Sequence, residues 1–202
     1  MRASLLTFML ACSATVAYAA GGFDSPEPHG VDRYTPNVYD AQGKFVGPLA
    51  SASGVSGVFL TVNGALTFVP IIHSAKNFAL GRLEAERSAS QYQWSDAESE
   101  AFASADCAGN PVITQTGETE DNSVGRPSML IRNGTDVTLY VAADTYSSLN
   151  IVNSARDLLQ GTPGSCVGES PANFIDPAWP VESVYPITQH YPEPLRVGFG
   201  ER

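Results

Sequence analysis

Apolar and polar positions alternate along this chain in short runs broken by glycine turns, and three pairs of runs read as β-hairpins. The clearest pair is residues 58–62 and 65–69, joined by Asn63-Gly64, a dipeptide whose residues tolerate the positive φ that a two-residue turn needs. That register sets Val58 against Val69, Phe59 against Phe68 and Leu60 against Thr67. Both faces are largely apolar, which places this ribbon near the middle of the fold. Pro70 has no N–H to give, so it is expected to end regular pairing or to lie at an edge.

A second hairpin flanks Ala41-Gln42-Gly43, with Gly43 in the left-handed position of a bulge. Its register pairs Asp40 with Lys44, Tyr39 with Phe45 and Val38 with Val46. A third brings residues 129–131 towards residues 137–141 across Asn133-Gly134. A two-residue turn there would oppose Ile131 to Asp136. The three-residue loop Arg132-Asn133-Gly134 instead sets Met129 against Val137 and Ile131 against Thr135, the more consistent inward face. The expected turn glycines are therefore Gly43, Gly64 and Gly134.

Weaker patterns fill the rest. Phe78, Ala79, Leu83, Glu84 and Arg87 allow a short helix over 75–87, interrupted by Gly81. Residues 91–94 alternate polar and aromatic as a half-buried strand does. Residues 102–107 and 112–115 suggest a hairpin around Ala108-Gly109-Asn110-Pro111, and residues 147–154 a further strand. From residue 177 onward Pro177, Pro180, Pro186, Pro192 and Pro194 predict an extended tail that cannot donate regularly to a ladder. Its aromatics Trp179, Tyr185, Tyr191 and Phe199 read as the inward face of a strap over the core, the other reading being a carbohydrate-stacking surface. Many short strands and frequent turns predict an all-β fold with room for one short helix, an antiparallel sandwich or barrel-like domain.

The amino end has another character. Arg2 precedes an apolar run through Val16, and Ala17-Tyr18-Ala19 supplies small residues before a cut between Ala19 and Ala20. That is the tripartite export signal, too short to anchor in a bilayer. The expected organisation is a signal peptide at 1–19, a flexible lead-in at 20–36, a β-rich domain at 37–176 and the proline-rich tail at 177–202. Lipidation at Cys12 is the lesser alternative. Export leaves Cys107 and Cys166 as one possible disulfide. Closing a loop of about 60 residues, it would contribute roughly 4 kcal/mol in the chain-entropy model.

Charge narrows the partners. The chain carries 11 basic and 21 acidic residues, a formal net charge of −10. This argues against nucleic acid and anionic membrane, which need clustered Lys and Arg. No later segment is apolar for long enough to span a membrane as a helix.

Reactive constellations are hard to find. His29, His73 and His190 lie far apart, without a second ligand at zinc spacing. Gly54-Val55-Ser56-Gly57 departs from the hydrolase elbow, which needs glycine two residues after the serine. Calcium suits an acidic chain, yet the twelve-residue loop spacing is missing, and residues 118–122 read as a solvated loop. Asn133-Gly134-Thr135 matches a glycosylation acceptor, but the turn already accounts for the pair. No catalytic, cofactor or metal residue is assigned.

The run Val38-Tyr39-Asp40-Ala41-Gln42-Gly43-Lys44-Phe45-Val46-Gly47-Pro48, followed by Val62-Asn63-Gly64, resembles a V-x-D-A-x-G-x-x-V-G … V-N-G pattern. That pattern belongs to exported or surface β-domains of bacteria, some carried on collagen-like or fibre-like stalks. Residues 102–111 resemble the cysteine hairpin of the same group. The resemblance covers residues 37–115 and implies no catalytic residue. The expectation is an exported, non-enzymatic structural or binding module, periplasmic or extracellular, with an unknown ligand. The alternatives are a secreted carboxylate-dependent hydrolase of polysaccharide and a subunit of a fibre-like surface oligomer.

Overall fold

A computed structural model describes residues 35–52, 54–76, 86–114, 124–149, 151–159, 162–168 and 177–199. The expected leader with Cys12, Ala19 and Ala20, the expected lead-in up to residue 34 with His29, the middle of the expected helix and the loop at 118–122 lie outside the described residues. Strands β1 (Asn37–Tyr39), β2 (Phe45–Pro48), β3 (Ala50–Ala52), β4 (Val55–Val62), β5 (Ala65–Lys76) and β6 (Glu86–Trp94) come first. Then follow β7 (Ser99–Phe102), β8 (Pro111–Thr114), β9 (Ser128–Asn133), β10 (Asp136–Ala142), β11 (Ser154–Leu159), β12 (Thr162–Pro163) and β13 (Val167–Gly168). The chain continues through β14 (Ala178–Trp179), β15 (Val181–Tyr185), the single-turn helix α1 (Ile187–His190) and β16 (Leu195–Gly198).

The first sheet runs β2-β1-β16-β6-β5-β4-β3, antiparallel throughout. Its two ends, β2 and β3, are separated in sequence only by Leu49. The path of pairings therefore returns to its start: residues 45–52 pair with β1 along their first half and with β4 along their second. The Leu49 N–H, donated to the Pro36 carbonyl at 2.8 Å, carries the β1 side up to the corner. The result is a closed antiparallel barrel, which removes free ladder edges.

Proline marks the corners. Pro48 stands where residues 45–52 change partner from β1 to β4. Pro70 pairs with Gly57 as the last β5 residue facing β4, and the next residue, Ile71, pairs with Trp94 of β6. Pro180 separates β14, which pairs with β8, from β15, which pairs with β10. A residue without an N–H costs least where one ladder stops and another begins. Pro70 thus ends one pairing as expected, while its strand continues to Lys76.

The Asn63-Gly64 hairpin has the expected register, with Asn63 at φ 50° and Gly64 at φ 85°. The turn at Gly43 (φ 81°) pairs Tyr39 with Phe45, but a bulge then sets Val38 against Gly47 rather than Val46. Val38 and Val46 both remain buried. The third hairpin is a correction. Its turn is Gly134-Thr135, with Gly134 at φ 62°, and Leu139 faces Leu130 while Thr138 faces Ile131. Arg132 is consequently a strand residue opposite Val137, and its guanidinium works beneath the sheet, as described below.

Three further expectations change. Ala75, Lys76, Glu86 and Arg87, assigned to a helix, are paired in β5 and β6. The strand expected at 147–154 starts only at Ser154, and Cys107 lies in the loop between β7 and β8. The tail is not a strap. Its strands pair regularly, β15 with β10 and β16 with both β1 and β6, because its prolines fall between the ladder segments.

One core holds the barrel together with a second layer. Val38, Val58, Val69, Ile71, Trp94 and Leu195 cluster with Leu130, Val137, Leu139 and Val141 from β9 and β10, and with Ile187 from α1. Each such side chain, fully buried, is worth about 1.5–3 kcal/mol of transfer free energy. A smaller cluster of Ala101, Val112, Val152 and Ala178 lies under β7, β8 and β14. These belong to the sheet β12-β11-β7-β8-β14, with β13 paired to β11.

Candidate functional site

The strongest polar constellation joins three strands' ends through Arg132. Its Nη1 donates to Glu193 Oε2 and its Nη2 to Glu193 Oε1, both at 2.8 Å. Nη2 also donates to the Trp94 carbonyl at 3.0 Å, and Nε lies 3.5 Å from Asp96 Oδ1. The Trp94 N–H in turn donates to Glu193 Oε1 at 2.6 Å, and the indole Nε1 donates to the Tyr191 carbonyl at 3.2 Å. Burial alone would lower the arginine's pKa. The hydrogen bonds and charges of Glu193, then those of Asp96, outweigh it and hold the guanidinium above its ordinary value. Both Glu193 oxygens are thus occupied by scaffold donors, leaving none aimed at a substrate as a general base requires.

A second ionic pair sits on the other sheet. Glu100, 3% exposed, accepts from Arg156 Nε, and the guanidinium lies 4.9 Å over the Phe102 ring. This is an ion pair with an added cation–π contact. Tyr140 beside it has its hydroxyl pKa raised, first by burial and then by the Glu100 charge, with Arg156 partly offsetting. Asp40, also buried, takes the N–H groups of Gln42 and Lys44 on Oδ1 at 2.9 Å each. It shapes the turn at Gly43 as Asp commonly does.

The sulfurs of Cys107 and Cys166 stand at bonding distance, with Cα atoms 5.9 Å apart across a sequence separation of 59. Cys107 is held at φ 55°, its N–H donated to the buried Ser154 Oγ at 3.0 Å, which itself donates to the Ser104 carbonyl at 2.7 Å. Neither histidine within the described residues meets a metal-type partner. His73 stacks on Tyr92 at 4.5 Å and His190 on Tyr185 at 4.3 Å. Among the described residues no group of three His, Cys, Asp or Glu side chains is placed to hold a metal ion.

No known family model, curated protein or solved structure matches this chain.

Of the tail aromatics, Tyr185 and Tyr191 pack against the core near each other, whereas Trp179 and Phe199 do not join them there. Tyr185 lies with His190, and Tyr191 lies beneath the Lys44 ammonium at 4.4 Å. Trp179 donates instead to the Thr145 carbonyl, and Phe199 is exposed. Sequence reasoning missed the Arg132 and Glu100 clusters. Their partners are 61 and 56 residues away in the chain, and no fixed spacing signals them. The available hint was Arg132 itself, a charge next to a run of core residues.

Proposed function

We propose that this chain is an exported, non-enzymatic structural or binding module of the bacterial envelope or extracellular space. The observation that carries the reading is the employment of its buried carboxylates. Asp40 builds a turn, Glu100 holds Arg156, and Asp96 and Glu193 hold Arg132. Acid–base catalysis would need such groups directed at a substrate instead. The Arg2-to-Ala19 leader and the Cys107–Cys166 pair support an oxidising destination. Kinship with the stalk-borne β-domains that the Val38–Pro48 run resembles belongs to the same proposal.

The test is expression of the whole chain in a bacterial host, followed by intact mass spectrometry of the exported fraction. An amino terminus at Ala20 and no alkylatable thiol are expected. A retained leader with two free thiols overturns export. Turnover of a glycan or ester panel by the purified protein overturns the non-enzymatic half.

A further inference from the structure

Four neighbouring barrel strands bring Phe45 of β2, Tyr39 of β1, Arg196 of β16 and Gln91 of β6 into one lateral row. Tyr39 is the register partner of both Phe45 and Arg196, and Arg196 is also the partner of Gln91. Paired residues share a face, and strands lie about 4.8 Å apart, so the row extends for about 14 Å. The adjacent residues Val38 and Val46 are buried in the core, which puts this row on the barrel's outer surface. Phe45 is 52% exposed, Arg196 and Gln91 are exposed, and Tyr39 is half-buried against Phe45 in an edge-to-face pair at 6.1 Å. Asn37 and Gly198 form the next pair along, and a Cβ added at Gly198 would meet nothing within 4 Å, so the row opens on that side.

Charge selects the ligand. Arg126, Arg132 and Arg156 are each matched to carboxylates, whereas Arg196 has no ion pair among the described residues. A guanidinium without an ion pair among the described residues, in a chain of net charge −10 and set near the exposed Phe45 ring, is complementary to a small ligand with one apolar face and a carboxylate. We propose that this row binds an oligosaccharide containing uronic acid. The C–H face of a pyranose lies on Phe45, whose ring Tyr39 supports edge-to-face, and its carboxylate takes two parallel hydrogen bonds from Arg196. The amides of Gln91 and Asn37 reach the hydroxyls. The overall negative charge repels polyanions at long range, a repulsion that salt screens, so recognition depends on contact with the row itself.

The inference deepens the binding-module reading. The assay uses purified protein and is independent of export, so either can fail alone. Trigalacturonate and a neutral xylotriose are titrated by calorimetry into the wild type, Arg196→Gln and Phe45→Ala, each first shown to keep the wild-type thermal transition. Trigalacturonate is expected to bind the wild type and to lose about tenfold or more in affinity with either variant. Xylotriose is expected to bind more weakly than trigalacturonate by a similar factor and to be indifferent to Arg196→Gln. Absence of trigalacturonate binding, equal affinity in wild type and Arg196→Gln, or equal affinity for the two sugars each overturns the proposal.

Discussion

Arg132 and Glu193, 61 residues apart in sequence, meet in a two-point hydrogen-bonded pair that fastens the segment after α1 to the β9–β10 hairpin. Removing one partner strands the other in a largely buried site. Arg132→Met is expected to destabilise the fold by about 3–5 kcal/mol. Arg132→Lys should recover little, since an ammonium cannot reproduce the planar fork. Urea unfolding followed by tryptophan emission checks both, because Trp94 shares the cluster.

Gly57 and Gly54 separate two kinds of glycine. A Cβ at Gly57 would overlap the Val69 carbonyl oxygen and lie 2.6 Å from Phe68 Cζ, so Gly57→Ala should cost about 3 kcal/mol by overpacking. Gly54 has open space but φ 83°, so Gly54→Ala should cost only about 1–2 kcal/mol of backbone strain. Thermal melts of the two variants should differ in that order.

Asp40 offers a test of the turn. Its Oδ2 is buried without a hydrogen-bond partner, while Oδ1 takes two N–H groups. Asp40→Asn keeps the working acceptor and removes a buried charge, so its melting point should stay near that of the wild type. Asp40→Ala leaves two donors unserved and should lose about 1–3 kcal/mol.

Alkaline pH should weaken the fold through its tyrosines. Tyr140 and Tyr185 have folded pKa values raised above the ordinary 10.0, both chiefly by burial. Below the unfolded value the two states hold the proton alike. Above it the unfolded chain releases the proton first, so stability falls as pH rises through the folded values. Tyr140→Phe should match the wild type at pH 7 and show a shallower decline above about pH 10, read by thermal melting across the alkaline range.

Reduction removes the one cross-link. Dithiothreitol, or the paired change of Cys107 and Cys166 to serine, should lower stability by about 2–5 kcal/mol. Amide exchange should accelerate most around β7, β11 and β13, the strands that flank the two sulfurs.

Local chemistry made much of this fold readable beforehand. Asn63-Gly64 specifies its turn and register unaided, because two residues of positive φ admit few alternatives. The Gly134 hairpin takes a register that its apolar side chains alone do not specify. Arg132, a loop residue by its charge, belongs on the inner face with Leu130 and Leu139, where a distant carboxylate waits. The tail departs from expectation for a related reason. Its prolines do not exclude ladders, because they occupy the joints between them. The lateral row of Phe45, Tyr39, Arg196 and Gln91 had no sequence signature, since it depends on β16 entering between β1 and β6.

That insertion of β16 has a temporal consequence. The ring cannot be sealed by its early strands, since the stave between them is made of residues 195–198. During synthesis, which proceeds from the amino end, the cylinder stays open until residues 195–198 are available to pair. Such delayed completion depends on distant pairing and is intrinsically slow.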